Sequence, residues 1–91
     1  KIRTAMNKYE RVPEKVIDLH GHTVRNSALI LEELLDKNPP PHVRIIVGKG
    51  NHSKGGAVLR EYVKDFLHTH NIRFAQSKLS DGGEGALEVY L

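Results

Sequence analysis

Asp18 and His20 stand two residues apart in the run Val16-Ile17-Asp18-Leu19-His20-Gly21-His22-Thr23, where apolar and polar residues alternate up to a glycine. Successive side chains of an extended strand point to opposite faces, so residues two apart share one. Burying Ile17 and Leu19 therefore turns a carboxylate and an imidazole outward together at the end of the strand, where open α/β sheets place their ligand sites. Such a pair is suited to moving protons, the acid favouring the charged ring. The plainer role for both is decoration of an edge strand, with His20 at the turn that follows. Strand geometry alone starts the two side chains about 7 Å apart, so it does not guarantee a hydrogen bond between them.

A second stretch with chemical potential is Gly48-Lys49-Gly50-Asn51-His52-Ser53-Lys54-Gly55-Gly56. It fits neither phosphate-binding pattern: Ser53 stands where a dinucleotide fingerprint needs its third glycine, and Gly55-Gly56-Ala57 replaces the Gly-Lys-Ser/Thr of a P-loop. The physics common to both patterns still applies. Glycines let backbone N–H groups approach an anion, a helix N-terminus beyond them favours negative charge, and Lys49 and Lys54 add positive charge. All nine residues, 48 to 56, are therefore candidates for phosphate contact; the plainer reading is a flexible connector.

Asp18, His20 and His22 also form an Asp-x-His-x-His run of the kind that can ligate a divalent ion. Gly21 is expected to end the strand and turn His22 away, so no metal ligands are assigned.

The elements that must position these residues can be read from periodicity. Residues 16 to 20 form a short strand. Thr23 suits a helix N-cap, with Val24, Ala28, Leu31, Leu34 and Leu35 at helical spacing behind it. Asn38 and three prolines stop that helix. Residues 43 to 47 read as a nearly continuous apolar strand, central in the sheet. Val58, Leu59, Tyr62, Val63, Phe66 and Leu67 mark a second amphipathic helix. Residues 72 to 77 form a third strand. A mobile glycine-rich connection over 79 to 85 leads to a last strand over 86 to 91, with Leu87, Val89 and Leu91 on one face. The order βαβαββ predicts an α/β (α+β) two-layer sandwich: a four-stranded mixed sheet with right-handed crossovers and both helices on one face. Parallel first and second strands would end side by side, bringing Asp18 and His20 to the glycine loop.

Size and charge narrow the function classes. The chain has 91 residues and no cysteine, enough for one domain that buries roughly two-thirds of its unfolded surface without disulfide help. Its longest apolar run is four residues, Ala28-Leu29-Ile30-Leu31, far short of the ~20 that span a bilayer. No secretory signal pattern opens it. A soluble cytoplasmic protein with no membrane partner is expected. Residues 1 to 15 hold five basic residues against two acidic ones and so carry the whole formal excess of +3. This stretch reads as a basic arm or linker ending near Pro13, with the domain over 16 to 91. Of the remaining charged and titratable groups, His42 is expected to be exposed, and His68 and His70 to cap the second helix. Arg44 and Arg73 are expected on neighbouring strands of the open face, as candidates for further phosphate contacts.

Three segments resemble the motifs of the small MutS-related (Smr) domain family. Asp18-Leu19-His20-Gly21-His22-Thr23 is similar to its Leu-Asp-Leu-His-Gly-x-Thr motif. The loop from Gly48 to Gly56 resembles its Gly-x-Gly loop extended by Asn-His-Ser and paired glycines. Gly82-Gly83-Glu84-Gly85-Ala86-Leu87-Glu88-Val89 resembles its closing Gly-Gly-x-Gly-Ala segment. The resemblance implies a fold like the C-terminal domain of translation initiation factor three. It also implies a nucleic-acid-binding or endonuclease activity on DNA (nicking) or RNA, in some members at stalled ribosomes. The family's functional Asp and His fall on Asp18 and His20, and its Gly-x-Gly on Gly48 and Gly50. Val47 stands where the family commonly has Thr or His, so a hydroxyl or imidazole is missing there; His52 is the residue placed to substitute.

The expected function is nucleic-acid binding with phosphodiester cleavage. His20 would act as general base or acid, Asp18 would favour its imidazolium, and Lys49 and the loop amides would stabilise charge on the phosphoryl oxygens. With RNA the 2′-hydroxyl can attack and no cofactor is needed. With DNA water must attack, and a divalent metal becomes attractive. The alternative is a non-catalytic DNA- or RNA-binding module that positions a partner. A small phosphorylated ligand ranks below either polymer.

Overall fold

The computed structural model describes residues 12–48, 54–78 and 83–91, with the side chains of 54–57 and 84 left aside. The order is β1 (Lys15–Asp18), α1 (Val24–Asp36), β2 (His42–Ile46), α2 (Lys54–Thr69), β3 (Arg73–Gln76), a short 3-10 turn (Gly83–Gly85) and β4 (Ala86–Tyr90). The sheet runs β1-β2-β4-β3. β1 is parallel to β2, with Val16 opposite Arg44 and Asp18 opposite Ile46. β4 lies antiparallel to both β2 and β3. This is the mixed four-stranded sheet that the element order predicts.

Alternation along the strands sorts the two faces. Val43, Ile45 and Val47 from the β2 segment, Leu87 and Val89 from β4, and Leu19 just beyond β1 are all buried. They meet Leu31 of α1 and Leu59, Val63, Phe66 and Leu67 of α2 in one core, so both helices cover the same face. Each fully buried aliphatic contributes on the order of 1.5–3 kcal/mol. On α2 the inward residues follow i, i+4, i+7 and i+8 from Leu59. Val58 is predicted inward with them, but one residue corresponds to about 100° of rotation and Val58 is 56% exposed.

The helix ends follow their sequence signals. Thr23 Oγ1 accepts from the Asn26 amide at 3.0 Å and caps α1. α2 closes on a left-handed Asn71, with Ile72 N–H donating to Leu67 O and Asn71 N–H to His68 O, the paired bonds of a Schellman stop. His70 acts as expected, its Nδ1 donating to Phe66 O at 2.9 Å, whereas the His68 ring packs on Phe74.

The helix-free face carries a network that the sequence does not announce. Glu88 is 8% exposed and its carboxylate accepts from His42 Nε2 and Arg44 Nε, both at 2.6 Å, and from Ser77 Oγ. His42, expected in solvent, is therefore a strand-pinning residue, and its ring stacks on Tyr90. Arg44 and Arg73 are not on neighbouring strands, because β4 lies between theirs. Arg44 is tied to Glu88, while Arg73 lies over the Tyr90 ring. Burial pushes the Glu88 carboxyl up, but the hydrogen bonds from Ser77, Arg44 and His42 outweigh it and leave it below its ordinary 4.5. A lowered folded-state pKa stabilises fully above the unfolded value, and that contribution is lost as pH falls through the folded one.

Two stability outcomes follow. Glu88→Gln should lower unfolding free energy by about 2–3 kcal/mol in urea titrations at pH 7, and the gap should close as the pH drops below 4.5. Ser27, fully buried in the first half of α1, has an Oγ with no hydrogen-bond partner among the described residues. Ser27→Ala should therefore raise stability by about 1 kcal/mol.

Candidate nucleic-acid site at the β1 turn

β1 ends at Asp18 because the chain changes its hydrogen bonding there. Leu19 N–H still donates to Ile46 O, at 2.7 Å, which keeps Leu19 in the ladder and its side chain in the core. The next amide, that of His20, turns back to Asp18 Oδ1 at 3.0 Å. An aspartate accepting from the N–H two residues on is an Asx-turn. His22 N–H then donates to Leu19 O at 3.0 Å, with Gly21 at φ +84°. A positive φ at the third position is what a type II turn needs, and glycine supplies it without strain.

This pair of turns removes the separation expected of an uninterrupted strand. His20 Nδ1 sits 2.6 Å from Asp18 Oδ1, so one carboxylate oxygen holds both the ring and the amide of His20. An ionised carboxylate only accepts, so Nδ1 carries the proton and Nε2 is left as the outward nitrogen. The pair is open to solvent, with side-chain exposures of 66% for His20 and 52% for Asp18. The hydrogen bonds from the ring and amide of His20 hold the Asp18 carboxyl below its usual range, and the nearby charges of His20 and His22 act in the same sense.

The glycine loop starts beside this pair, as the parallel pairing of β1 and β2 requires. A Cβ built on Gly48 would lie 3.5 Å from the His20 Cβ. Gly48 has φ +82°, and its N–H donates to Gly85 O at 3.0 Å, alongside Val47 N–H at 2.8 Å. Gly48 therefore supplies the turn and the close approach, while its amide is engaged within the protein. Gly85, in the closing glycine segment, is a positioning residue that sequence reasoning did not single out as part of the site. The signal available was its place in the third motif.

Val47 is 1% exposed and packs in the core. A hydroxyl or imidazole at this position would lie on the core face, so its absence takes nothing from the exposed Asp18–His20 rim. The expectations for Lys49, Gly50, Asn51, His52 and Ser53 lie outside the described residues. Lys54, Gly55 and Gly56, expected in the loop, form the first turn of α2 instead. Among the described residues no three His, Asp or Glu side chains are grouped to hold a metal ion, and no helix is long and apolar enough to cross a membrane.

The Smr domain model matches residues 17–91, which takes in the Asp18–His20 turn, Gly48 and Gly85. The chain belongs to the Smr domain family. Among curated proteins it is 38% identical over 82% of its length to Endonuclease NBR9 of Saccharomyces cerevisiae, of which the match covers 32%. It is 34% identical over 88% of its length to human NEDD4-binding protein 2, of which the match covers 5%. The chain thus spans less than half the length of these relatives. Among solved structures, the crystal structure of the human small-MutS related domain is 33% identical with a TM-score of 0.63, covering 82% of this chain and 98% of that one. The Smr domain of Thermus thermophilus MutS2 is 29% identical with a TM-score of 0.66, covering 85% and 96%.

The Smr site depends on a left-handed residue at position 48. Gly48→Ala leaves an ordinary contact to His20 but forces a Cβ into that conformation. It should cost about 1–2 kcal/mol in chemical denaturation and shift the His20 ring resonances in NMR spectra.

Proposed function

We propose that this Smr domain binds nucleic acid and cleaves its phosphodiester backbone, with His20 as the proton-transferring residue. The observation that carries the reading is the Asp18–His20 hydrogen bond at an exposed turn. It fixes the ring through Nδ1 and presents Nε2 to solvent, where a hydroxyl or water of a bound strand can give up a proton. Asp18 does not titrate in this scheme; it orients the ring and stabilises the imidazolium formed when Nε2 takes the proton. The endonuclease named among the relatives supports the same reading.

The phosphate has complementary partners nearby in the chain. α1 begins at Val24, directly after this turn, and carries no acidic residue in its first turn, so its N-terminal dipole is available to an anion. Arg25 is exposed at the same end. Lys49 and Lys54 supply positive charge in the segment that follows Gly48, of the sign that offsets charge developing on the phosphoryl oxygens.

The test separates binding from cleavage on labelled single- and double-stranded DNA and RNA. His20→Gln should retain binding within a few-fold while the cleavage rate falls by about 100-fold or more. Wild-type protein that binds these polymers and cuts none of them would make the domain a non-catalytic module that positions a partner.

A further inference from the structure

Away from the acid–base turn, one flank of the sheet is open. Among the described residues no strand pairs with the outer side of β1. Leu19 N–H donates to Ile46 O, and alternation along a parallel pair turns the backbone groups of Lys15 and Ile17 toward β2 as well. The N–H and C=O of Val16 and the N–H of Asp18 are left pointing outward. Such an edge is a template for a further strand.

A groove of about 310 Å³ lies beside that edge, between β1 and α1. Its apolar lining comes from Ile17, Ile30 and Leu34, each half-buried. Lys15 and the Lys37–Glu33 ion pair, closed at 2.9 Å, complete it. Lys15 lies opposite Val43 and Ile17 opposite Ile45, and both of those β2 residues are buried under the helices. A strand added to β1 would therefore send alternate side chains into the groove. Lys15 selects among such strands. It is exposed and makes no ion pair among the described residues. A charge on the inward side of an edge disfavours any strand that cannot answer it, whereas a carboxylate two residues from an aliphatic side chain does. Charge also disfavours the chain's own material. Residues 1 to 15 carry the whole net charge of +3, so a second copy paired edge to edge would set two basic arms side by side, and the arm itself brings further cations to Lys15. A nucleic acid answers the charge but has no peptide backbone with which to extend a ladder.

We propose that β1 and this groove are a docking edge for an extended segment of another protein, one with an aliphatic residue and a carboxylate two positions apart. The segment becomes a fifth strand. Its aliphatic side chain packs on Ile17, Ile30 and Leu34, its carboxylate meets Lys15, and its backbone bonds the outward groups of Val16 and Asp18. No cleavage chemistry enters this contact, so it stands or falls separately from the endonuclease reading.

The probes are three ten-residue peptides, each with one isoleucine and, two positions on, glutamate, lysine or threonine, the other positions being serine and threonine. NMR titration of the full chain reads affinity and site together. The glutamate peptide should shift the methyl resonances of Ile17, Ile30 and Leu34, slow hydrogen exchange at the Val16 amide, and bind about 10-fold more tightly than the lysine peptide. Lys15→Glu should reverse that order. Val16→Pro removes the outward N–H without touching the bonds to β2, and should weaken the glutamate peptide about 5-fold or more. Thermal melts check that the variants fold; if Val16→Pro does not, the Lys15→Glu reversal decides. Equal binding of the three peptides, a preference that Lys15→Glu leaves unchanged, or no binding at millimolar peptide overturns the proposal. So does a Val16 amide that exchanges slowly before any peptide is added, since the edge is then already taken by the arm or a second copy. An oligonucleotide that shifts the same methyl groups when the peptides do not overturns it in favour of nucleic acid.

Discussion

A single carboxylate oxygen organises the exposed turn that follows β1 in this domain. Asp18 Oδ1 accepts from the amide of His20 and from its ring, and the two bonds act on different levels of structure. The first bends the backbone out of the strand, which the ladder would otherwise continue. The second fixes the imidazole that the bend has just brought within reach. Leu19, anchored in the core between the two residues, makes the arrangement rigid from below. The bend cannot relax without withdrawing that side chain from its neighbours.

The other glycine-rich segments serve this same rim from further along the chain. The Gly85 carbonyl receives both the Val47 and Gly48 amides, so the entrance to β4 sets where the loop after β2 departs. Gly48 then passes close to His20 because β1 and β2 are parallel neighbours. Three short motifs, far apart in sequence, are thus three parts of one junction.

Much of this was legible in the residues themselves. Alternation and helical spacing give the strands, the helices and the shared face of Asp18 and His20. Prolines and glycines mark most boundaries. The hydrogen bond within the pair was not legible from strand geometry, because it depends on the strand ending at Asp18 and not at His20. An aspartate two residues before an exposed amide and three before a glycine is the local signal for that ending. The Glu88 network was illegible for a different reason: its partners His42 and Arg44 come from β2 and Ser77 from the residue just beyond β3. Only the order in which those strands pair, β2 against β4 against β3, brings them together. The significance of Val47 also needed the fold, since residue type alone does not say whether a side chain looks outward or into the core.

Among the described residues β1 stands at the margin of the sheet, bonded to β2 on one flank and to no strand on the other. The Asp18–His20 pair lies exposed at the end of this border strand. On the proposed function, a long strand laid sideways across this border would offer its middle as readily as its tips. Such a layout suits selection of interior positions by local shape, not progressive trimming from a terminus.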